Sequence, residues 1–232
     1  MKSIFKTLLF AAVALTTQHV YSQSCEAFYP MKTGSVIETE TFSAKNKLTG
    51  SNKQTILDLT TGANSASVKV KSEAFDAKGK ELTSQELVMK CENGVFIMDM
   101  KNFLDPKAMG GGKDMEVKVD AQDMEYPQSL SAGMTLKDAS IKITMGSGGM
   151  TFMSMETRIF NRKVEGIESI TTPAGTYECY KLSYDCEIKS IVKATVKGVQ
   201  YVAKGVGVVR SETYDKNGKL TDYTIIAKTS GL

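Results

Sequence analysis

Histidine is nearly missing from this chain of 232 residues, and the one copy, His19, falls within the first twenty-two. Those residues read as an export signal: Lys2 and Lys6 precede an apolar run from Leu8 to Leu15, and Val20-Tyr21-Ser22 offers small-enough residues for cleavage before Gln23. Residues 1–22 are thus expected to be removed, leaving 23–232 as one domain without an imidazole. That lack excludes Ser-His-Asp and Cys-His nucleophile systems, HExxH zinc sites and any histidine general base.

Long apolar runs are missing too. No later segment approaches the roughly eighteen apolar residues that cross ~30 Å of hydrocarbon, so no transmembrane span is expected. Ser22-Gln23-Ser24 lacks the aliphatic residue that stands three positions before a lipidated cysteine, which argues against an anchor on Cys25. The protein is expected to be exported, periplasmic or outer-membrane-associated. Nor does charge of one sign dominate: 29 basic residues face 26 acidic ones, and loss of Lys2 and Lys6 brings the two close to balance. With arginine only at positions 158, 162 and 210, bidentate phosphate contacts are few, and nucleic acid is not expected as a partner.

What the chain has is alternation. Ser67-Val68-Lys69-Val70-Lys71, Met115-Glu116-Val117-Lys118-Val119-Asp120 and Ala139-Ser140-Ile141-Lys142-Ile143-Thr144 place apolar side chains at every second position, the period of a half-buried strand. Asn93-Gly94, Asn217-Gly218 and Lys78-Gly79 mark hairpin turns between such runs. These signals predict an all-β fold of roughly eleven to thirteen strands: a single curved antiparallel sheet or half-barrel, a meander of hairpins, with one short helix over Asn102 to Met109.

Three turns echo one another: Phe42 to Lys47, Phe75 to Lys80 and Tyr214 to Lys219. Asp215 and Asn217 have the spacing of the first calcium-loop ligands, but Gly218 comes too early for the EF-hand bend and Lys219 occupies a ligand position, so solvated hairpin tips are expected. The carboxylates Asp114, Glu116, Asp120, Asp123 and Glu125 are dense enough to weigh as a glycosidase pair, yet alternation puts Glu116, Lys118 and Asp120 together on an outward face. Gly205-Val206-Gly207 leads into a strand where a dinucleotide fingerprint needs a helix, and reads as a bend. Met145, Met150, Met153 and Met155 suit a loosely shaped core, an adaptable apolar groove or, as soft ligands, Cu(I); the core reading is preferred, and neither metal nor cofactor is expected.

Cys179 and Cys186 share one predicted strand. They point to opposite faces and lie ~23 Å apart along it, beyond disulfide reach. Four cysteines in an oxidising compartment allow three pairings, of which Cys25 with Cys91 is preferred because it pins the N-terminus of the mature chain to a strand ending at a tight turn.

The segments Asn161 to Gly166, Thr171 to Lys181 and Ala203 to Glu212 resemble exported bacterial proteins of the TapB-like family, over most of the mature chain and including the cysteines at 25 and 91. The resemblance implies a curved antiparallel half-barrel of the kind found in LolA-type lipoprotein carriers, and leaves the function open. Two departures stand out: Tyr201 occupies a position where relatives often carry Trp, which weakens any role for it as an aromatic ligand anchor, and Cys186 has no counterpart.

The expected function is non-enzymatic: an envelope protein whose concave sheet binds an apolar ligand, a lipidated segment or a partner protein. Behind it stand a structural or assembly factor without a small ligand, and a glycan-active enzyme working with carboxylates alone.

Overall fold

The computed structural model describes residues 28–104 and 116–232. Thirteen strands form one antiparallel sheet. They are β1 (Val36–Ser43), β2 (Leu48–Thr61), β3 (Ser65–Asp76), β4 (Glu81–Glu92), β5 (Val95–Met98), β6 (Glu116–Gln122) and β7 (Met124–Pro127). The rest are β8 (Ala139–Ser147), β9 (Met150–Thr172), β10 (Gly175–Lys189), β11 (Lys193–Ala203), β12 (Gly207–Tyr214) and β13 (Leu220–Ser230). The expected half-barrel is thus an almost complete barrel-shaped sheet with an unsealed seam.

Spatial order is β6-β8-β9-β10-β11-β12-β13-β1-β2-β3-β4-β5-β7. Pairing of β1 with β13, from Val36 opposite Ser230 to Ser43 opposite Asp222, joins the two ends of the chain into the wall. The seam lies between β6 and β7, which pair at opposite edges although only Asp123 separates them in sequence. Register shifts at Glu38/Thr39, Ile56/Asp58 and Ser183/Asp185 supply the extra bend that curls so wide a sheet.

Because neighbouring strands alternate in direction, the turns β1–β2, β3–β4, β8–β9, β10–β11 and β12–β13 gather at one end. Both described chain ends lie at the other, and that end is filled. Phe28 meets Tyr126 (6.3 Å) and Tyr180 (5.8 Å), while Tyr29 stacks on Phe96 (5.9 Å). Val68, Val164, Val202 and Ile226 are fully buried around them, and burying side chains of this kind contributes ~1.5–3 kcal/mol each.

The helix expected over Asn102 to Met109 is reduced to a single 3₁₀ turn, Met100–Phe103. Leu104 is already extended (φ −85°, ψ 134°), and residues 105–109 lie outside the described set. Asp99 caps the turn by accepting from the Lys101 N–H at 2.8 Å, and Asp123, where the chain changes edges, accepts from the Met100 N–H at 3.3 Å.

Candidate functional site

Residues directly opposite in a ladder share a face, so the inner surface can be followed row by row from the filled end to the open one. Val68, Met89 and Met98 form one row, and Ile56, Val70 and Leu87 the next. Then the chemistry changes. Ile37, Gln54, Ser72 and Gln85 form the third row, and Thr39, Asn52, Ala74 and Thr83 the fourth. Four rows at ~6.6 Å spacing therefore run from an apolar floor to a rim of amides and hydroxyls.

A cleft of about 440 Å³ occupies this surface, its far wall made by Asn102 of the 3₁₀ turn and by Leu104 just after it. Among the described residues no charged side chain lines it. The rim is held by its own hydrogen bonds: Asn52 Nδ2 donates to Ser72 Oγ (3.0 Å), Tyr29 OH to Gln54 Oε1 (2.8 Å), and Gln85 Nε2 to the Asn102 carbonyl (3.4 Å). Burial pushes the Tyr29 phenol well above its usual range, so it stays a neutral donor.

Leu104 also walls a second, smaller recess of about 190 Å³, with Met100, Ile141, Ile143 and Met155. A third hollow of about 290 Å³ lies over the β9–β10 irregularity, where Asn161, at φ 53°, donates to Asp185 Oδ2 (2.8 Å). Gly198 belongs there because a Cβ would overlap the Tyr184 ring.

Arg162, 3% exposed, closes the seam from inside. It donates to the Lys137 carbonyl (2.6 Å) and the Glu125 carbonyl (3.1 Å), and its guanidinium lies 4.9 Å from the centre of the Tyr126 ring. Tyr126 OH reaches across the interior to Gln200 Oε1 (3.1 Å).

The residues singled out from sequence are scattered. Glu116 and Asp120 are exposed on β6, Asp123 holds the 3₁₀ turn, Glu125 pairs with Lys137 (2.8 Å), and Asp114 lies outside the described residues. Asp215 Oδ1 accepts from the Asn217 and Lys219 N–H groups (2.8 and 2.9 Å), and Asp76 does the same for Lys78 and Lys80, which makes these hairpin tips. Among the described residues no cluster of His, Cys, Asp or Glu is suited to a metal. Met145 is buried, but Met150, Met153 and Met155 are exposed, so the methionine stretch is only partly core.

Tyr201 is 7% exposed beneath Lys181, whose Nζ lies 5.6 Å from the ring centre. Cys179 and Cys186 are free thiols within β10; Cys91 is buried and not among the free ones, and Cys25 lies outside the described residues. Sequence reading passed over Asn52, Gln54, Ser72 and Gln85. The available signal was Ser51-Asn52-Lys53-Gln54, polar on both faces of a strand, as a solvated interior demands.

An antiparallel barrel of one sheet, filled at one end and open over an uncharged cleft at the other, defines the class. The chain belongs to the DUF3108-like family, whose profile matches residues 32–226. It is similar to a solved structure described as a lipoprotein of Parabacteroides distasonis, with 25% identity, 88% of this chain and 98% of that one covered, and a TM-score of 0.72. It is equally similar to one from Bacteroides fragilis described as an exported protein with a YmcC-like fold, with 25% identity, 88% and 99% coverage and a TM-score of 0.71. No functionally curated protein matches. Neither the TapB-like label nor a LolA-type carrier figures among these matches.

Proposed function

We propose that this is a non-enzymatic, exported envelope protein, periplasmic or outer-membrane-associated, which binds an apolar or amphipathic guest inside the open end of its barrel. One observation carries the reading. The same inner surface that is packed solid around Phe96 and Tyr126 opens, from the next row to the rim, into a recess of about 440 Å³, within the ~300–1,000 Å³ usual for small-ligand sites. Among the described residues no carboxylate lines this cleft, and the chain beyond His19 has no imidazole for acid–base work. Relatives described as exported or as a lipoprotein support the location.

Native mass spectrometry of freshly purified protein tests the reading. A stoichiometric co-purifying lipid or acylated peptide is expected, and Thr83→Trp, which fills the rim, should abolish it. Protein that emerges empty and takes up no amphiphile would overturn it. A second reading, an assembly factor without a small ligand, draws on the tips of β8–β9 and β10–β11, where Met150, Phe152, Ile191 and Val192 are 66–97% exposed. Photocrosslinking from position 191 in the envelope would then trap one dominant partner.

A further inference from the structure

The two halves of the cleft specify the chemistry of its guest, and the inference rests on the binding reading above. We propose that the guest is an uncharged amphiphile, bound with its apolar end toward Leu87 and Met89 and its hydroxyl- or amide-bearing head at the rim of Asn52, Thr83 and Gln85. The direction follows from the row order. Apolar side chains lie toward the filled end, polar ones toward the opening, so a tail buried first leaves its head where amides and hydroxyls can meet it.

The neutrality follows from composition. Asparagine, glutamine, serine and threonine each donate and accept, which matches a polyol or amide head whose groups do the same. An ionic head would leave water for a wall that, among the described residues, offers no counter-charge, and partial burial of an unpaired ion is costly. Beyond Leu104, the second recess of about 190 Å³, with Ile141, Ile143 and Met155, extends the apolar surface available to a tail.

Three probes with the same decyl tail decide it: decyl maltoside, decanoate and decyltrimethylammonium, each titrated below its micelle concentration by calorimetry and by competition. Decyl maltoside is expected to bind at least about tenfold more tightly than either ion. Leu87→Ser should weaken all three together, because it acts on the tail. Gln85→Glu, at a partly buried rim position where it also gives up the bond to the Asn102 carbonyl, should weaken the maltoside and favour the ammonium, with circular dichroism confirming that the variant is folded. If either ion competes for the cleft as tightly as the maltoside, the neutrality inference falls and the binding reading stands. If none of the three binds the folded wild-type protein, both fall. If Leu87→Ser spares binding while Gln85→Glu reorders the probes, the tail direction falls.

Discussion

A guanidinium at 3% exposure that donates to two backbone carbonyls is an unusual way to close a wall. Arg162 works because the Lys137 and Glu125 carbonyls would otherwise face the interior unpaired, and because the Tyr126 ring screens its charge. Arg162→Met should therefore cost about 3 kcal/mol in urea unfolding, most of it from orphaned carbonyls. Arg162→Lys should restore only part, since an ammonium lacks the planar fork. A loss below ~1 kcal/mol for Arg162→Met would mean that the two carbonyls find other partners.

Glu187 makes the opposite case, a largely covered carboxylate between Lys189 and Lys193. Hydrogen bonds from Lys189 and then Lys193 hold its carboxyl down to about 2. A group depressed in the folded state contributes stability above the ordinary carboxylate range and loses it as pH falls toward about 2. The melting temperatures of wild type and Glu187→Gln should thus differ at pH 7, draw together below the ordinary carboxylate range and meet only as pH falls through about 2. A gap that persists unchanged at low pH would rule out this origin.

Among elements, β10 answers for two cysteines at once. Regular alternation carries Cys186 inward beside Leu182 and turns Cys179 to the other face, where it is nevertheless fully buried, and burial pushes its thiol up to about 11. Alkylation of native protein at pH 8 should label Cys186 before Cys179; the reverse order would contradict the burial of Cys179. Because both are free, Cys25 is the one cysteine left to bridge Cys91 within the chain. Tyr29 stacks on Phe96, the ladder partner of Cys91, and four residues of chain reach at most ~14 Å, which supports the proposed bridge. Peptide mapping without reductant should recover Cys25 linked to Cys91, and reduction should cost roughly 4 kcal/mol for a loop of about 65 residues. Four free thiols in the exported protein would sink it.

Strands were legible because a half-buried strand repeats every two residues, and turns because Asn93-Gly94 and Asp215-to-Gly218 chemistry is local. The helix was overread. A proline at 106 is a sequence signal against helix at the residue before it, and Leu104 is extended already. The cleft left one trace, the two-sided polarity of Ser51 to Gln54, and it is ambiguous because Asn52 and Gln85 look like solvent-facing residues until the sheet is known to curl around them.

At the scale of the whole molecule, closure depends on the first and last described strands, β1 and β13, finding each other. Hydrogen exchange should show the β1–β13 ladder among the slowest amides, despite its position at the ends of the described chain, and β6 and β7 among the fastest. Rapid exchange at Ile37 and Ile226 would mean that the wall opens there instead. The split also has a kinetic side: contacts between residues nearly the full chain length apart make the fold a slow one.

Exposed strand rims are where copies of a β-protein graft onto one another and grow into fibres. Here a single uninterrupted stretch of backbone, from Glu116 to Pro127, supplies both rims. A foreign strand adding to β6 must enter the gap already flanked by β7, and one adding to β7 meets β6, so each rim obstructs recruitment at the other. Polymerisation would first have to spread the seam that Arg162 spans, which ties resistance to fibre growth to the same side chain that holds the wall together.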